Sequence, residues 1–99
     1  MSESRQHRQI SERIAKADGV PYNSQRGPDI KTPNRVTEVG VDPAQVKQEM
    51  SQVARSQRAR YVAGPSDFVK AAIEATKGTG IGVRNSRGQI VKRASRPKK

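Results

Sequence analysis

The run Gly27-Pro28-Asp29-Ile30, the turn Lys31-Thr32-Pro33-Asn34 and the run Arg35-Val36-Thr37-Glu38-Val39-Gly40-Val41 decide how this chain is read. Both flanks of the turn are short and apolar, and the second is rich in β-branched residues, so two strands paired antiparallel across Pro33-Asn34 are expected. On the second strand Val39 and Val41 share a face that Thr37 extends. Pairing brings one carboxylate from each strand, Asp29 and Glu38, to a common exposed edge. A hard cation such as Mg²⁺ takes oxygen ligands from one or two carboxylates, a carbonyl and waters. Asp29, Glu38 and the main-chain carbonyl of Val39 are therefore a candidate metal site.

The flanking segments place this hairpin in a larger pattern. From Gln6 to Asp18, the residues Ile10, Ile14 and Ala17 recur at i, i+4 and i+7, which describes a helix with one narrow apolar stripe, ended by Gly19. Val20-Pro21-Tyr22 is a short apolar run that could add a strand. After Val41, Asp42 can cap a helix, with Pro43 at its first position, Gln45 completing a capping box, and Val46, Met50 and Val53 as its stripe. Ala59-Arg60-Tyr61-Val62-Ala63, bounded by Gly64-Pro65, suits a buried strand parallel to its predecessor across that helix.

Ser66 is the expected cap of the next helix, where Phe68, Ala72 and Ala75 form one row and Val69 and Ile73 another until Gly78. Thr79–Val83 and Gln89–Lys92 then flank Asn85-Ser86-Arg87-Gly88, which has the chemistry of a four-residue hairpin turn. Gly78-Thr79-Gly80-Ile81-Gly82 is not read as a phosphate loop. Such loops follow a strand and open a helix, whereas these glycines follow a helix and open a strand. Strands alternating with helices imply a three-layer α/β domain, a mixed sheet flanked by helices, over residues 6–93. Residues 1–5 read as a flexible N-terminus and 94–99 as a basic tail.

Composition bounds the function. The chain has 99 residues, enough for one domain with a thin core, and 31% of them are hydrophobic. Only Tyr22, Tyr61 and Phe68 are aromatic, too few for a platform that stacks single-stranded bases. Lys and Arg number 20 against 9 acidic residues, a formal charge of +11, so a polyanionic partner is expected, and nucleic acid, DNA in particular, is the commonest. Arg55, Arg58 and Arg60 after the second helix, with Arg84 and Arg87 of the final hairpin, are the candidate phosphate contacts. Arg5, Arg8 and Arg13 cluster on or before the first helix. There is no helix-turn-helix or zinc-finger signature, so sequence-specific reading of bases is not expected. Cysteine is absent, and the single His7 cannot build a histidine metal cluster alone. With no apolar run of membrane-spanning length and no signal-peptide centre, a soluble cytoplasmic protein is expected, with no membrane partner. A chain this short carries no separate recognition domain, which points to a homodimer or a larger partner.

Taken together, the element order and the motifs Gly-Pro-Asp-Ile, Thr-Glu-Val-Gly, Arg-Tyr-Val-Ala and Gly-Ile-Gly-Val resemble the restriction-endonuclease-like fold of the PD-(D/E)XK nuclease superfamily, over roughly residues 6–93. Pro28-Asp29 resembles the PD of that motif and Glu38-Val39-Gly40 falls at its (D/E)XK. The resemblance implies Mg²⁺- or Mn²⁺-dependent phosphodiester hydrolysis, with Asp29 and Glu38 at the metal. It likens Glu12 to the acidic residue many members contribute from the first helix, and Gln48 or Gln52 to a glutamine some members use near the metal or substrate. Gly40 stands where the catalytic lysine belongs. A lysine relocated to Lys47, or to Lys31, would restore its charge. Without one, the expected alternative is a non-catalytic nucleic-acid-binding or accessory protein on the same fold, and a further one is a basic RNA-associated protein whose motif match is accidental.

Overall fold

The β-branched run at 35–39 forms a strand whose residues Val36 to Val39 are all buried, because the sheet is covered on both faces. The computed structural model describes residues 5–22 and 29–95. In chain order these form α1 (Arg5–Asp18), β1 (Ile30–Lys31), β2 (Arg35–Val39), a 3-10 turn (Pro43–Gln45), α2 (Val46–Val53), β3 (Ala59–Gly64), α3 (Ser66–Ala75), β4 (Gly82–Asn85) and β5 (Ile90–Lys92). The strands make one five-stranded sheet in the order β1-β2-β3-β4-β5. β1 and β2 pair antiparallel, with Ile30 opposite Thr37. The pairs β2·β3 and β3·β4 are parallel, each linked through a helix, and β5 closes the sheet antiparallel to β4. The sheet is therefore mixed, as expected.

Strand alternation sorts the apolar residues into two cores. Val36, Val62 and Val83 face α2 and α3, packing with Val46, Val53, Phe68, Val69 and Ala72. Val39 and Ala63 face the other way, toward Ile10, Ile14 and Ala15 of α1, with Ile30 beside them. On the side of α2 and α3 the packing is closest where Phe68 enters between two glycines. A Cβ at Gly40 would lie 2.3 Å from the Phe68 ring, and one at Gly64 would lie 2.3 Å from the Gly40 carbonyl oxygen. Neither position has room for a side chain.

Several local expectations shift. Val20-Pro21-Tyr22 is a connection and not a strand, since Pro21 offers no N–H to a ladder, although Val20 and Tyr22 do pack against the α1 core. The face that α1 lays on the sheet is two residues wide, so Ser11 and Ala15 are buried with Ile10 and Ile14, while Ala17 is exposed. Asp42 does cap, its Oδ1 accepting the Ala44 N–H at 3.0 Å, but it opens the 3-10 turn, and Gln45 makes no side-chain cap bond. Ser66 is the first residue of α3 and not its cap. β4 starts at Gly82, after Gly80 has turned the chain at φ +79. Gly27-Pro28 and most of the expected flexible ends lie outside the described residues.

A buried ion network ties α1 to the sheet. Arg84 of β4, 1% exposed, makes a two-pronged contact with Asp18 at the end of α1: Nη1 donates to Oδ2 at 2.9 Å and Nη2 to Oδ1 at 2.7 Å. The same guanidinium donates to Thr37 Oγ1 at 2.8 Å and, through Nε, to the Gly88 carbonyl at 2.9 Å. Arg35 adds a second cation, Nη2 reaching Asp18 Oδ1 at 2.7 Å. Burial alone would raise the Asp18 carboxyl, but the hydrogen bonds and charges of Arg84 and Arg35 outweigh it and hold the group below its ordinary 3.8. Its contribution to stability is thus present above about pH 4 and is lost as pH falls through the depressed value. Asp18→Asn, which strands a buried guanidinium, should cost about 3–5 kcal/mol in urea unfolding at pH 7. The gap to wild type should narrow in acid.

Candidate functional site

The β1–β2 register sets Asp29, one residue before Ile30, across from Glu38. The two strands then exchange side chain for main chain. The Asp29 N–H donates to Glu38 Oε1 at 3.1 Å, and the Val39 N–H donates to Asp29 Oδ2 at 3.0 Å. Each carboxylate is thereby fixed by the neighbouring strand, on one side of the pair as expected. They do not sit on an exposed edge: Asp29 is 7% and Glu38 9% exposed. Helices on both sides of the sheet contribute the cover.

From α2 comes half-buried Glu49, whose charge bears on Glu38. From α1 comes His7, whose Nε2 lies 3.3 Å from Asp29 Oδ2 and whose ring is tilted against Tyr22 at a centroid separation of 6.4 Å. The cluster is thus Asp29, Glu38 and Glu49 with one imidazole. Its electrostatics follow from crowding like charges away from water. Burial pushes Glu38 up to about 9, the Asp29 and Glu49 charges push the same way, and the Asp29 N–H and His7 oppose them. Glu49 is also raised, by burial first and then by Asp29. At neutral pH Glu38 therefore keeps its proton.

The other residues singled out from the sequence lie elsewhere. Glu12 is exposed on the outer side of α1, paired with Arg8 at 3.8 Å. Gln48 and Gln52 are exposed on α2. Lys47 is exposed as well, and it precedes Glu49 by two positions, about 200° around a helix, so it projects away from the carboxylates. Lys31 is exposed on β1. Val39 enters the site through its N–H, and its side chain belongs to the α1 core. Among the arginines, Arg55, Arg58 and Arg87 are exposed, but two are structural. Arg84 is sealed against Asp18, and Arg60, 9% exposed, spends its guanidinium on the carbonyls of Ala54 and Thr79 at 3.1 and 2.9 Å. Neither is available to a phosphate.

Glu49 and His7 are the members that sequence reasoning missed. The signal for Glu49 was helical phase, since it falls next to Val53 at the edge of the inner stripe that Val46, Met50 and Val53 make on α2. That for His7 was its place four residues before buried Ser11. Compared with protein-family models, curated proteins and solved structures, the chain finds no match.

The raised Glu38 carboxyl gives folding a sign. Between the unfolded value of 4.5 and the folded value of about 9, the folded chain holds a proton that the unfolded chain releases. Stability is therefore full below about pH 4.5 for this group and declines as pH rises toward 9. Glu38→Gln keeps the Oε1 acceptor and removes the titration. In chelator, it should raise the melting temperature more at pH 8.5 than at pH 5, and thermal melts across that range are the measurement.

Proposed function

We propose that the chain is a restriction-endonuclease-like domain whose buried carboxylates hold a divalent cation for hydrolysis of a nucleic-acid phosphodiester. The observation that carries the reading is the reciprocal clamp between Asp29 and Glu38, which fixes the two carboxyl groups side by side. A hard cation fits such donors, and Mg²⁺ takes one or two carboxylates, with waters and substrate phosphate filling its remaining positions. Among the described residues no three His, Cys, Asp or Glu side chains are already disposed to hold a metal ion, so the fit rests on this pair, with Glu49 beside it. When bound, the cation would supply Lewis acidity toward the phosphate and an attacking water.

The chain's own residues divide the remaining work. Glu38 must release its proton before it can act as a ligand, which makes affinity rise with pH. Glu49 lies beside it, and its charge favours the protonated form of Glu38. His7 steadies Asp29 from α1 and brings an imidazole to the cluster.

A second reading, a non-catalytic nucleic-acid-binding protein on the same fold, draws on Gly40. The Phe68 ring and Glu49 Cγ occupy the space its side chain would need, at 2.3 and 2.9 Å, so the motif's lysine has been replaced by packing. Cleavage of labelled duplex DNA with Mg²⁺ or Mn²⁺ tests both. On the first reading cleavage occurs, is abolished in Asp29→Asn and Glu38→Gln, and survives Lys47→Ala. DNA binding without cleavage under any divalent cation supports the second. The cation has its own readout: Mn²⁺ should raise the melting temperature of wild type at pH 8 more than at pH 5, and Asp29→Asn should remove that rise.

A further inference from the structure

We propose that the outer face of α1, with the β4–β5 turn beside it, is the surface on which duplex DNA docks. The identity of the partner rests on the nucleic-acid reading above; the location comes from the charge that folding leaves outside. Arg5, Arg8, Arg13 and Lys16 all lie on the exposed side of α1, and the acidic residue among them, Glu12, is ion-paired with Arg8. The 14-residue helix is about 21 Å long, which matches about six steps of B-form duplex. The hairpin turn lies against the same helix from its inner side: a Cβ on Gly88 would lie 3.6 Å from the buried Ile14 side chain, and Arg87 of that turn is exposed. His7, two positions from Arg5 and about 200° around the helix, points inward to Asp29, so this strip lies on the side of α1 away from the carboxylates.

The other basic groups are less well placed. Arg60 and Arg84 are engaged inside the fold. Arg55 and Arg58 follow α2, which packs on the face of the sheet opposite α1.

Physical chemistry narrows the occupant. A basic helix that binds an anionic membrane inserts an apolar face, and here Ile10 and Ile14 are committed to the sheet. Single strands bind by stacking on exposed rings, but Tyr61 and Phe68 are buried and Tyr22 packs on the core. The major groove of B-form DNA, about 12 Å wide, admits a helix, whereas the deep, narrow groove of duplex RNA does not.

The test is anisotropy of a labelled DNA duplex in chelator across a salt series. Arg5→Gln/Arg13→Gln/Lys16→Gln is compared with a charge-matched control, Arg55→Gln/Arg58→Gln/Lys70→Gln, after circular dichroism shows both folded; glutamine keeps helix propensity close to that of the residues replaced. The α1 variant should bind at least about tenfold more weakly at 0.1 M salt and lose about three units of salt slope. The control should stay within about twofold. Equal losses in both variants, or none in the α1 variant, would overturn the assignment, as would tighter binding of single-stranded DNA, duplex RNA or anionic vesicles by wild type. Hydrolysis fails separately: a wild type that binds through α1 but never cleaves removes the nuclease reading and leaves this surface standing. Cleavage with undiminished affinity in the α1 variant does the reverse.

Discussion

The Arg84 guanidinium sits between β4, β2 and the end of α1 with almost no access to water, and its hydrogen bonds to Asp18, Thr37 and Gly88 decide where α1 can lie. The apolar residues that α1 lays on the sheet form a narrow patch, Ile10, Ile14 and Ala15, and hydrophobic burial is non-directional. A two-pronged Arg–carboxylate contact is directional. Held at Asp18, the helix is oriented so that His7 lies on Asp29 and its cationic side faces outward. The position of the candidate site and the direction in which the surface charge points thus depend on one buried ion pair.

The two buried acidic centres work in opposite senses. Asp18 has opposite charges around it and stays ionised, so it favours the fold once pH exceeds its depressed value. Glu38 has like charges around it and keeps its proton, so it disfavours the fold as pH climbs. A protein selected for stability alone would gain from replacing the second arrangement with apolar packing, because crowded carboxylates must be neutralised to be buried.

Gly40 shows how a packing decision and a chemical one coincide. Phe68 fills the space over Gly40 and Gly64 and closes the core of α2 and α3 against the sheet. The same ring leaves no room for a side chain at position 40, where the resemblance drawn from the sequence would place a lysine, and the imidazole beside Asp29 comes from another element, His7 of α1.

Local chemistry was enough to place the strands at 30–31 and 35–39, the parallel strand at 59–64, the terminal hairpin and the helices between them. Turn residues, β-branched runs and apolar periodicity act over a few positions and are visible in a single chain. It was also enough to bring Asp29 and Glu38 together, because an antiparallel hairpin of known turn dictates its own register. Which side chains joined them was decided only by tertiary structure. Glu49 is separated from Glu38 by a crossover helix start, and His7 from Asp29 by a whole segment of chain, so their meeting depends on how α2 and α1 are laid on the sheet. Folding also decided which arginines remain available: Arg60 and Arg84 look like surface cations in a list of charges, and only the closure of the sheet against α1 and the following loops turned them inward. Charge is a property of the sequence, but burial, and with it the protonation of Glu38, belongs to the packed molecule.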